Sequence, residues 1–159
     1  MNIEDILTPD RTFCKLQASS RKRALEQVSE HLAETIPYFD AEQLFASLIA
    51  REKMGSTALG HGVAIPHCRM KGCTKILGGL FSLNQAIDFE SPDRSKTNLL
   101  FVLVVPEEEV SEHLTVLAML ANRFDSEAYR QSLFAANTAK ALFEAAISNL
   151  QPGIKQAIS

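Results

Sequence analysis

Three cysteines, Cys14, Cys68 and Cys73, are too few for a complete disulfide framework, and the chain starts without the charged and apolar regions of a signal peptide. The expected compartment is therefore the cytoplasm. No uninterrupted apolar run approaches the roughly 20 residues that a membrane helix needs, which argues against membrane insertion. Neither GxxxxGKS/T nor GxGxxG occurs, so the usual backbone cradles for a nucleotide's phosphates are missing. HExxH and paired CxxC are also absent, and the four-residue gap between Cys68 and Cys73 is not diagnostic of a metal site. His61, His67, Cys68 and His113 are thus an unconvincing zinc set, and neither a metal nor a cofactor is expected. A net charge of -3 with 22% charged residues gives no general pull toward nucleic acid or an anionic membrane.

What is present fits one domain. A chain of 159 residues with 46% hydrophobic residues can bury a single sizeable core, assigned here to residues 1–150. Pro152 and Gly153 end regular structure, and residues 151–159 are expected to form a mobile tail. Residues 12–16, 75–83 and 98–105 read as strands, the last rich in Leu and Val as if covered on both faces. Gly78 and Gly79 interrupt the second of these, as a bulge or a close packing point would.

Helices are read between and after the strands. Ser19 or Ser20 caps one whose apolar face is Ala24, Leu25, Val28 and Leu32, with His31 at the solvated edge. Asp40 caps a second, with Leu44, Phe45, Leu48 and Ile49 as its stripe. Acidic residues 107–109 favour a helix start near Ser111, in which His113 shares a face with Leu117, Leu120 and Phe124. Asp125 and Asn137 or Thr138 are placed as caps of two more helices, the last with a stripe running to Leu150. Strands interspersed with helices predict an α/β fold, a mixed α+β sandwich with a mixed sheet of about four or five strands flanked by helices.

The reactive side chains gather between Arg51 and Arg69, in the segment REKMGSTALGHGVAIPHCR. It runs from a helix end through a Gly, Ser and Thr loop into a short apolar strand that stops at Pro66, delivering the His67 imidazole to a strand end. A neutral imidazole has a lone pair ready to attack phosphorus, and the resulting P–N bond suits a relay. The protein must then neutralise the oxygens of the transferring group, for which the planar guanidinium of Arg51 is suited. By helical spacing Arg51 lies close to the apolar stripe of Leu44 and Leu48 and Glu52 points near its centre; either both side chains snorkel from a fraying helix end, or Arg51 is held at the rim of a site that needs a fixed positive charge. Ser56 and Thr57 read equally as turn residues or as phosphoryl-binding donors. Cys68 reads as a small half-buried side chain, or as a thiol beside His67.

This segment resembles the phosphorylation-site signature of the mannitol/fructose-type IIA proteins of the bacterial phosphoenolpyruvate-dependent phosphotransferase system, and most of all their nitrogen-regulatory branch. Arg51 and Glu52, Gly55 to Thr57, Gly60, and the run Gly62 to His67 carry the likeness, which extends loosely over residues 1–150 and includes Glu112 to Leu114. It departs from the family pattern at Cys68, where glycine is frequent, and at His61, where a small polar residue is usual. The resemblance implies a mixed sheet with helices and a phosphohistidine intermediate at His67. It also makes His113 the second histidine of the site; without it, His113 would read as a satisfied core residue. The implied donor is an HPr-like phosphocarrier charged from phosphoenolpyruvate through an enzyme I homologue. Two functions follow from it. One is a regulator of unidentified target proteins, switched by the added negative charge and favoured because no fused IIB, IIC or HPr segment is evident. The alternative is a sugar-transport component that passes the group to a separate IIB domain.

Overall fold

The computed structural model describes residues 1–108 and 111–148; Glu109 of the acidic run, Leu150 of the last apolar stripe and the tail 151–159 lie outside them. Two short 3-10 turns, Ile3–Asp5 and Pro9–Arg11, lead into β1 (Thr12–Leu16). The helices α1 (Arg21–Thr35) and α2 (Ala41–Met54) follow, capped by Ser20 and Asp40, whose side chains accept from the backbone N–H of Arg23 and Gln43. Three short strands come next: β2 (Ala58–Gly60), β3 (Val63–Ala64) and β4 (His67–Met70). After the long strands β5 (Leu77–Ile87) and β6 (Thr97–Pro106), the described chain ends in α3 (Ser111–Phe124), α4 (Glu127–Phe134) and α5 (Ala139–Ile147). The α4 cap is Ser126, one residue beyond the expected Asp125, because its hydroxyl is the group that meets the Tyr129 N–H. Thr138 caps α5.

The strands form one mixed sheet of six, in the order β1-β5-β6-β3-β2, with β4 also on β6. The sequence expectation of four or five strands falls short because the signature segment contributes three. Both β3 and β4 run parallel to β6 along the same edge, Val63 opposite Leu99 and His67 opposite Leu103. Pro66 separates them: it has no N–H for the ladder, although its carbonyl still accepts from Leu103 N at 2.9 Å. The strand therefore does not end at Pro66 but resumes after it.

Along β6 the side chains alternate. Leu100, Val102 and Val104 join α1 and α2 in one apolar cluster, while Leu99, Phe101, Leu103 and Val105 join the N-terminal turns and α3 to α5 in another. The fold is thus three layers, with β6 buried on both faces as its composition indicated. Gly78 and Gly79 mark close packing: a Cβ on either would come within 3.0 Å of Phe101 or of Leu32 and Phe81. His31 packs its ring on Phe13, with centroids 4.3 Å apart, instead of standing free in solvent.

The turn between β2 and β3 is fastened from across the sheet edge by Asp93. Its carboxylate accepts from the backbone N–H of His61 and from both the hydroxyl and the backbone N–H of Ser95. The hydrogen bond from the Ser91 hydroxyl first, and then these bonds, hold its pKa below the carboxylate range. Gly60 enters this turn at φ +96°, and a Cβ there would lie 2.8 Å from Asp93 Oδ2. Gly60→Ala should therefore lower stability by about 1–3 kcal/mol through backbone strain and displacement of the carboxylate. Urea unfolding would read this as a lower midpoint at unchanged slope; an unchanged midpoint would show that the turn relaxes freely.

Candidate functional site

His67 opens β4 at the sheet edge, where the last turn of α2 and the first turn of α3 approach it. Strand alternation sends Cys68 and Met70 into the cluster beneath α1 and α2, and His67 and Arg69 to the opposite face, toward α3. There the rings of His67 and His113 meet edge to face, with centroids 5.4 Å apart and planes inclined by 67°. Helical spacing had placed His113 inward, and it is buried at 8% exposure. Arg69 reaches the same place, its Nη2 3.5 Å from His113 Nδ1 and its Nη1 donating to the Glu107 carbonyl at 3.2 Å.

Two cavities share His67 and Arg51 in their walls. One, of about 430 Å³, adds Ser47, Ala50, Met54, Cys68, Arg69 and His113; the other, of about 280 Å³, adds residues 56–59, Ile65, Leu117 and Ala121. The structure thus brings the other four sequence-predicted site residues around the His67 imidazole. Their hydrogen bonds differ from expectation in part. Arg51 Nη1 donates to the carbonyl of Gly55 at 2.8 Å, which fixes the half-buried guanidinium over the helix end instead of letting it snorkel.

Ser56 and Thr57 were candidates for phosphoryl donors, but their hydroxyl protons are committed elsewhere. The Ser56 hydroxyl donates to the Phe89 carbonyl and accepts from Ala58 N, and the Thr57 hydroxyl donates to Glu52. Both residues shape the wall of the smaller cavity. Glu52 is the group that sequence reasoning left without a task. Only 4% exposed, it accepts from the backbone N–H of Thr57 as well as from its hydroxyl, and Arg21 Nη1 approaches it at 3.6 Å. Burial raises its pKa, opposed by the Thr57 hydrogen bonds and then by the charges of Arg21 and Arg51. Its position near the centre of the α2 apolar stripe was the available signal.

The tautomer of His67 is set by one hydrogen bond. Its Nδ1 lies 2.7 Å from the carbonyl of Ile65, which can only accept, so Nδ1 bears the proton and the lone pair is on Nε2. Burial lowers the pKa of the ring, and the charges of Arg51 and Arg69 lower it further, outweighing the Ile65 hydrogen bond. The free base is therefore the prevailing form at neutral pH. Cys68 is no rival nucleophile: burial first, and Cys73 second, push its thiol up to about 12. His61 lies apart at φ 56° in the β2–β3 turn and lines a different cavity with Leu59, Gly60 and Phe124. No group of three or more His, Cys, Asp or Glu suited to a metal occurs among the described residues. None of their helices is long and apolar enough to cross a membrane.

The chain as a whole, and not only this segment, is matched by a known family. The family model described as "Phosphoenolpyruvate-dependent sugar phosphotransferase system, EIIA 2" matches residues 5–149. The chain belongs to this family. A nitrogen regulatory protein of Pseudomonas aeruginosa is 42% identical over 144 residues, 91% of this chain and 94% of the relative. The crystal structure of nitrogen regulatory protein IIA-Ntr from Neisseria meningitidis superposes with a TM-score of 0.83 at 35% identity, covering 90% of this chain and 97% of that one. The mannitol IIA of Escherichia coli shares the fold at a TM-score of 0.69 and 20% identity, over 87% of this chain and 97% of its own. As an EIIA 2 member the chain is a IIA phosphocarrier of regulatory type, since the homologues with the higher identity are nitrogen regulatory proteins.

Proposed function

We propose that His67 is the phosphorylated residue and that an HPr-like phosphoprotein is its donor. The observation that carries this reading is the Nδ1–H bond to Ile65, which presents the lone pair on Nε2 beside Arg51. In the transfer step the Nε2 pair forms a bond to the phosphorus, the donor's P–N bond breaks, and the departing nitrogen keeps the bonding pair. The Ile65 carbonyl goes on accepting from Nδ1 and so supports the positive charge that the ring gains. Arg51 faces the negative oxygens of the group in transit. His113 lies against the His67 ring and helps to orient it. The loop 55–57, held by Glu52, keeps the cavity wall in place.

A protein donor suits the rim. Met54, 83% exposed, and Leu59, 40% exposed, stand at the two cavity mouths and give apolar surface for a docking phosphoprotein. Once modified, the site carries a phosphoryl dianion in place of a neutral ring, and that change of charge is the regulatory signal read by target proteins.

Incubation with an HPr-type donor and its upstream enzyme, followed by mass spectrometry under alkaline conditions, should place the phosphate on His67; a label elsewhere in the chain would overturn the assignment. The pH dependence follows with its sign. Because the ring's pKa is below the ordinary 6.5, Nε2 remains free at neutral pH and is lost only as pH falls well below that value. Titration of the His67 ring by NMR should give a midpoint under 6.5, and the transfer rate should fall on the acid side only. A midpoint above 6.5 would mean that burial and the two arginines do not govern the ring.

A further inference from the structure

Arg69 follows His67 by two residues on β4 and leaves the strand on the same face. Its guanidinium bridges two elements, donating to the Glu107 carbonyl just beyond β6 and standing 3.5 Å from Nδ1 of His113 on α3. Guanidinium N–H groups only donate, so Nδ1 of His113 must face Arg69 with its lone pair. The proton of the imidazole then belongs on Nε2. A proton on Nδ1 would set one donor against another at this contact. Nothing in the transfer step described above employs this pairing, yet it touches the ring that lies 5.4 Å from His67.

We propose that Arg69 is a positioning residue for phosphoryl transfer, which holds His113 in the tautomer with its proton on Nε2. This rests on the reading of His67 as the phosphorylated residue. With Nε2 as a donor, His113 offers an N–H to anionic oxygen; in the opposite tautomer that nitrogen would present a lone pair, repelling the oxygens or competing with His67 for the phosphorus. The Glu107 bond fixes where the guanidinium stands, so the tautomer is tied to the packing of β4 against the start of α3.

Two-bond proton–nitrogen correlation on the ¹⁵N-labelled chain reads the tautomer of each histidine with no donor present. The wild-type spectrum should show His113 protonated at Nε2. Arg69→Met, which removes the donors, should give a mixed tautomer, and Arg69→Lys, which keeps one, should preserve the wild-type pattern. Transfer from an HPr-type donor to His67 should slow about tenfold in Arg69→Met, as for loss of one hydrogen bond from a charged group, and recover in large part in Arg69→Lys. Arg69 is exposed, so neither variant should change the melting temperature appreciably. A wild-type His113 protonated at Nδ1, or an Arg69→Met chain that keeps the wild-type tautomer, would overturn the proposal. A wild-type chain that takes no label at His67 would overturn the proposed function instead. The two failures are separable because the tautomer is read without phosphorylation.

Discussion

Replacing His67 with alanine should abolish phosphorylation of the chain by an HPr-type donor, leaving no more label than a no-enzyme control. The other three histidines cannot substitute, each for its own reason. His113 is buried and turns Nδ1 to Arg69. His61 lines a separate cavity in the β2–β3 turn, and His31 stacks on Phe13 beside β1. The variant should still fold: losing the half-buried ring's hydrogen bond to the Ile65 carbonyl costs a net of about 0.5–1.5 kcal/mol. Circular dichroism and thermal unfolding would establish the folded state before labelling. Equal labelling of His67→Ala at another histidine would show that the cavity activates more than one ring, and the tautomer argument would fail with it.

The next largest effect is expected at Arg51, where charge and geometry both matter. Its guanidinium is held by the Gly55 carbonyl and shares both cavities with His67, and its charge already acts on that ring. Arg51→Ala should slow transfer by one to two decades, the equivalent of about 1.5–3 kcal/mol for a lost charge-assisted hydrogen bond. Arg51→Lys keeps the charge, but a single ammonium cannot both bond Gly55 and present a planar fork to the phosphoryl oxygens, so it should fall between the two. Single-turnover transfer from a labelled donor measures all three chains. Wild-type rates in Arg51→Ala would reduce this arginine to a helix-end cap.

The site was legible in the sequence as far as local spacing reaches. Helical spacing placed His113 on the inner side of α3 and Glu52 near the middle of the α2 stripe, and both are buried. Pro66 was correctly a break, but it was read as the end of a strand. The resumption as β4 depends on pairing with β6, which lies more than thirty residues later in the chain. That misreading hid Arg69, because only a strand beginning at His67 turns residues 67 and 69 to one face. The hydroxyls of Ser56 and Thr57 were ambiguous for a similar reason: a Gly-Ser-Thr loop has donors, but their acceptors come from elsewhere. Ser56 finds its acceptor at Phe89, and Thr57 finds a carboxylate already buried by α2.

The sequence by itself determined the layered class of the fold, the helix cap at Asp40, those at Ser20 and Thr138 to within one residue, the doubly buried strand β6, and the segment that carries His67. Each is encoded by residues within a turn or two of one another, where periodicity and side-chain-to-backbone bonding act directly. Tertiary structure alone decided which nitrogen of His67 keeps its lone pair, which groups surround it, and where the loop donors point. Those outcomes turn on hydrogen-bond acceptors and charges whose position is set by folding. The Ile65 carbonyl meets Nδ1 between β3 and β4, both of which are placed by pairing with β6, and Arg69 meets His113 across 44 residues of chain. Burial does the rest: it is the largest cause of the lowered pKa of His67, and burial belongs to the packed layers and to no single stretch of sequence.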